Sequence, residues 1–145
     1  MPFARYGLIL GLLLLASCDR TSPVEPPVTV LAVAPGCDVR QGCRAGDDSI
    51  SIDVQFDAAP IALHAFPLSL HVSGDEPVQS VTVSFSMQGM DMGLNRYRLI
   101  GNATRGWKAG VTLPVCVSGR SDWVADFELL TDQRQLRFRL PFVLQ

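Results

Sequence analysis

Three of the four methionines fall within six residues, at Met87, Met90 and Met92 of the run Ser86-Met87-Gln88-Gly89-Met90-Asp91-Met92-Gly93. A thioether sulfur is a soft donor that suits Cu(I) and needs no deprotonation to bind. Met87 continues the apolar alternation of Val81, Val83 and Phe85, and reads equally well as core filler. Met90 and Met92 lie between Gly89 and Gly93, which predicts an exposed turn in which two sulfurs at i and i+2 point to one side. A thiolate from Cys116 or Cys43, or the His71 imidazole, would complete a three-coordinate soft site. The candidate metal ligands are therefore Met87, Met90, Met92, Cys116 and His71, with copper as the expected ion.

The four cysteines separate by position. Cys18 ends the run Leu15-Ala16-Ser17-Cys18, which resembles the lipobox of bacterial lipoproteins, whose cysteine is lipidated and becomes the mature N-terminus. Ahead of it, Arg5 and the apolar residues 8–15 complete an export signal. The apolar stretch over residues 6–16 falls well short of the ~20 residues of a bilayer-spanning helix. Palmitate-type acyl chains in the plural hold a protein durably where one chain does not. In enteric lipoproteins an aspartate at the position of Asp19 favours retention in the inner membrane. The resemblance thus implies a chain anchored on the periplasmic side of a bacterial membrane.

Cys37, Cys43 and Cys116 remain, an odd number for an oxidising compartment. One structural bridge is expected among the three. Cys37 and Cys43 flank a short glycine-containing loop, whereas a bridge from either to Cys116 would pin that loop to the body, so the pairing stays open. Around Cys116-Val117-Ser118-Gly119-Arg120, a turn could display a thiol beside a cation and lower its pKa. It reads equally as a hairpin turn carrying a disulfide cysteine.

Twelve Lys+Arg face fourteen Asp+Glu, a formal charge of −2, and Lys108 is the single lysine. Nothing in that balance forms the basic footprint that nucleic-acid binding needs. No Gly-x-Ser-x-Gly, His-Glu-x-x-His or phosphate-cradling glycine loop occurs, and His64 and His71 have no acid–base partner nearby in sequence. No catalytic residue is expected, and the chain reads as a binding protein rather than an enzyme.

The elements that must position these residues alternate with a period of two. Ile50, Ile52, Val54 and Phe56 form one such run; Leu68, Leu70 and Val72 a second; Val81, Val83 and Phe85 a third. Tyr97 and Leu99, then Trp123, Ala125, Phe127 and Leu129, then Leu136, Phe138, Leu140, Phe142 and Leu144 follow. With the apolar segment near residues 111–115 the total is about seven short strands. This predicts an all-β fold, an immunoglobulin-like antiparallel β-sandwich, with a small barrel as the alternative. Phe56, Leu70, Phe85, Leu99, Trp123, Phe127, Phe138 and Phe142 are the expected inward residues. The predicted organisation is a signal peptide over 1–17, a Pro-rich lipid-anchored tether over 18–35 and one domain over 36–145.

Met87-Gln88-Gly89-Met90-Asp91-Met92-Gly93, followed by Asn95-Arg96-Tyr97-Arg98, Gly106-Trp107 and Val111-Thr112-Leu113-Pro114, resembles the FixH-like and YtkA-like periplasmic domains over roughly residues 50–130. The resemblance implies a small immunoglobulin-like sandwich associated with copper handling and with assembly of haem-copper oxidases. The family's methionine-rich loop maps onto Met87, Met90 and Met92, its following aromatic strand onto Tyr97 and its tryptophan onto Trp107. The loop here lacks the histidine and proline that related loops often carry, and a lipid stands where FixH-like proteins have a transmembrane helix. Two functions follow as expectations. One is an anchored copper-binding protein serving copper handling or oxidase assembly. The other is a metal-free module that binds another envelope protein through an adaptable methionine surface.

Overall fold

A computed structural model describes residues 25–90 and 92–145. The signal peptide, the lipidation residue Cys18 and the rest of the expected tether up to residue 24 lie outside the described residues. Among the described residues ten strands form in chain order: β1 (Val28–Val30), β2 (Ala32–Val33), β3 (Cys43–Gly46), β4 (Ile50–Phe56), β5 (Phe66–Gly74), β6 (Val78–Met87), β7 (Arg96–Asn102), β8 (Gly106–Val111), β9 (Asp122–Thr131) and β10 (Gln135–Val143). Among the described residues no helix is long and apolar enough to cross a membrane.

The alternation in the sequence becomes burial in the strands. Along β6, Val81, Val83, Phe85 and Met87 are buried while the residues between them face outward. β9 and β10 repeat the pattern, and Phe127 faces Phe138 across the pair with the rings stacked at 4.8 Å. All the residues expected to point inward do so, from Phe56 to Phe142. At ~1.5–3 kcal/mol for each large apolar side chain fully buried, this core is the main stabilising element.

The seven-strand immunoglobulin-like sandwich is not what forms. The strands join in one mixed sheet, in the order β1-β10-β9-β6-β7-β8-β5-β4-β3-β2, nearly closed into a barrel-like shape. Two features cause this. β7 serves both halves: Leu99 pairs with Val81 of β6, while Ile100 and Gly101 pair with Lys108 and Trp107 of β8. Gly101 permits the hand-over, because a Cβ there would lie 1.9 Å from the Gly106 carbonyl oxygen. The segment over residues 28–33 then straddles both edges. Val28, Thr29 and Val30 run parallel to β10, whereas Ala32 and Val33 pair antiparallel with β3. Between them Leu31 is buried and donates its N–H to Arg137 at 2.8 Å. These strands fall inside the stretch read as tether. They are two and three residues long, too short for alternation to reveal, and it is edge pairing rather than periodicity that recruits them. The expected strand near residues 111–115 lies earlier, as β8 around Trp107, which is buried.

The end of the barrel at the β9–β10 turn is tied by Arg134. Its guanidinium holds Glu76 through Nε and Nη2, reaches Asp47 at 2.8 Å through Nη1 and Ser49 at 2.7 Å. Arg134 holds the Asp47 carboxyl well below the usual carboxylate range, helped by the Ser49 backbone and hydroxyl. It also lowers Glu76, against the opposing effect of burial. Because both carboxylates have lower pKa values folded than unfolded, their contribution is complete above the unfolded value near pH 4 and is lost as the pH falls further. An Arg134→Met variant is expected to lose about 2 kcal/mol at neutral pH. It should also show a flatter acid limb than wild type between about pH 5 and 2. Urea denaturation at neutral and acid pH measures both; equal acid losses in the two proteins would exclude the network as their source.

Candidate functional site

Both connections that carry candidate sulfurs meet at one end of the barrel, above the rings of Phe56, Phe66, Phe85 and Phe142. Phe85 sits edge-on to Phe66, Tyr97 and Phe142 at 5.9–6.5 Å. Met87, the last residue of β6, pairs with Trp123 and is buried in the core. The chain then turns tightly: Met90 donates its N–H to the Met87 carbonyl at 3.1 Å, with Gly89 at φ +73° in the turn. That turn lifts Met90 off the sheet while Met87 stays beneath it. The Trp123 indole N–H, buried beside Met87, has no partner among the described residues.

The connection from β8 to β9 supplies the other sulfur. Tyr97 donates its hydroxyl to the Thr112 carbonyl at 2.5 Å and so pins the start of that loop to β7. The loop turns at Cys116, whose carbonyl accepts the Gly119 N–H at 3.0 Å. Here Cys116 Sγ comes to 3.5 Å from Met90 Sδ and 2.9 Å from the Ser118 hydroxyl. The thiol donates to the thioether while Ser118 donates to the thiol sulfur, a pairing consistent with both contacts. The hydroxyl and the backbone N–H of Ser118 push the Cys116 thiol below its ordinary pKa against the opposing effect of burial, with lesser help from the backbone and charge of Arg120. Such a thiol gives up its proton more readily, and the thiolate is the form that binds a metal.

The structure therefore assembles Met90 with Cys116, leaves Met87 in the core and keeps His71 away from them. Met92 is half-buried against the core rather than exposed, and its carbonyl accepts from Asn95 Nδ2 at 2.6 Å. Met90 is likewise half-buried, so the turn between the glycines packs more than its composition suggests. His71 lies on the outer face of β5, opposite Asp53, and is not brought to the sulfurs. Cys37 and Cys43 form a disulfide with Cα atoms 4.8 Å apart, which closes the loop before β3 and leaves Cys116 as the free cysteine among the described residues. Closing so short a loop contributes about 2 kcal/mol in the chain-entropy account.

Ser118, whose hydroxyl holds the Cys116 sulfur, carried no signal in the sequence beyond its place beside a glycine. Among the described residues no cluster of three His, Cys, Asp or Glu side chains could hold a metal. Comparison with protein-family models, curated proteins and solved structures finds no match.

Proposed function

We propose that this protein binds Cu(I) through the Cys116 thiolate and the Met90 thioether, with Met92 as third donor, and serves copper handling or oxidase assembly as an anchored envelope lipoprotein. The observation that carries the reading is the 3.5 Å approach of Cys116 Sγ to Met90 Sδ in a half-buried setting. At the ~2.3 Å typical of a metal–thiolate bond, two sulfurs sharing a trigonal metal stand about 4 Å apart, so a small outward shift admits the ion. A set of one thiolate and two thioethers is soft throughout and discriminates against hard cations.

The position of the pair supports a carrier. The described chain joins the sheet where Val28 meets Gln135, and the sulfurs lie at the other end of β10, beyond Phe142. The seven steps from Gln135 to Phe142 span about 23 Å, so the pair lies that far along the barrel from where the described chain enters it, as suits a site presented away from an anchor. Exposed Leu94, Val115 and Val117 on the same loops favour a second reading, contact with another envelope protein without metal.

The test is a titration of the full chain in detergent with Cu(I) against a chromogenic competitor. One equivalent is expected to bind, and Met90→Ala with Met92→Ala together should lower the affinity by at least about tenfold. If wild type fails to compete, the copper reading is wrong. A cross-linked partner whose capture ignores copper chelators would then establish the second reading.

A further inference from the structure

Resting on the Cu(I) reading, we propose that Arg120 is the positioning residue of the sulfur pair, clasping the Met90 loop against the Cys116 loop. The two sulfurs stand 26 residues apart in sequence, on separate connections. Each turn is shaped locally, by Met90 N–H on the Met87 carbonyl and by Gly119 N–H on the Cys116 carbonyl. Neither bond sets the distance between the turns. Arg120 spans them. Its Nε and Nη2 grip the Asp122 carboxylate at 2.9 and 2.5 Å, and its Nη1 donates to the Gln88 carbonyl at 3.2 Å.

Asp122 is the first residue of β9 and pairs with Val143 of β10, so the carboxylate is fixed to the sheet. A planar guanidinium held at two points has its remaining donor aimed in one direction. That direction is the carbonyl between Met87 and Gly89, the hinge of the turn that presents Met90. Arg120 and Asp122 are both substantially exposed, and exposed ion pairs add little to global stability. The clasp therefore acts on where the sulfurs sit and hardly at all on whether the barrel folds.

The test uses the full chain in detergent with Arg120→Gln, Arg120→Lys, Asp122→Asn and Met90→Ala. Arg120→Gln should leave thermal unfolding unchanged and lower Cu(I) affinity about tenfold. Adding Met90→Ala to it should lower affinity no further than Met90→Ala alone, since both changes remove one donor. Asp122→Asn should share the defect, and Arg120→Lys should restore part of the affinity by reaching Gln88 without the two-point grip. A second readout needs no metal: in protein with 13C-labelled methionine methyls, the Met90 methyl should show a nuclear Overhauser contact to the Cys116 β protons. That contact should vanish in Arg120→Gln. Persistence of the contact in that variant, or additive losses of affinity, would overturn the proposal. Loss of the contact in a protein that takes up no Cu(I) would uphold the clasp and refute the copper reading alone.

Discussion

A Cys116→Ser variant is expected to lose Cu(I) affinity by a factor on the order of 100 or more, with its unfolding transition unmoved. Changing residues that merely support metal ligands typically costs 10–100-fold, so removing the one anionic donor of the site sets that range as a lower bound. Serine preserves the size of the side chain and its contact with Ser118, but its oxygen is hard and stays protonated, which a soft cation does not favour. Cys116 is half-buried at the edge of the core and outside the disulfide, so the similar size of serine leaves its packing nearly intact. Competition titration and thermal melting of the same sample separate the two effects. An affinity within threefold of wild type would place the binding elsewhere and remove Cys116 from the site. Comparison with the weaker loss in the Met90/Met92 double variant then ranks thiolate above thioether, as the charge of the donors requires.

Phe85→Ala is expected to produce the largest loss of stability, about 3–5 kcal/mol, because a buried ring is removed from a site that cannot collapse around the void. Phe85 is 2% exposed and meets Phe56, Phe66, Tyr97 and Phe142, rings supplied by four other strands. Its backbone N–H donates to the carbonyl of Asn95 at 2.8 Å, the residue whose side chain holds the Met92 carbonyl. For a domain of this size the loss corresponds to a fall in Tm of roughly 10–25 °C. Phe85→Leu, which keeps most of the volume, should retain the greater part of that stability. Urea denaturation measures both. A loss below 1 kcal/mol for Phe85→Ala would show that the aromatic cluster does not hold the floor beneath the sulfur loops.

Legibility in the sequence followed how local the cause was. The inward faces of β4, β6, β9 and β10 could be read directly, because strict alternation over seven to ten residues leaves one arrangement that hides the apolar set. β1, β2 and β3 could not, since strands of two to four residues carry no period. Their pairing depends on edges that exist only after the longer strands have assembled. Met87 shows the same division within the candidate site. Its alternation with Val81, Val83 and Phe85 marked it as core, and the structure buries it; its thioether chemistry alone did not set it apart from Met90.

The composition of the chain determined that the body would be β-structure with a soft-sulfur loop at the end of one strand, because residue type and spacing act over a few neighbours. Whether any two of those sulfurs would meet was beyond it. Only the tertiary structure brought Met90 to Cys116, paired Cys37 with Cys43 and sent His71 to the opposite face. Distances between separate connections are set by how the sheet curls and closes, and that depends on contacts distant along the chain, such as those of β7 with both β6 and β8.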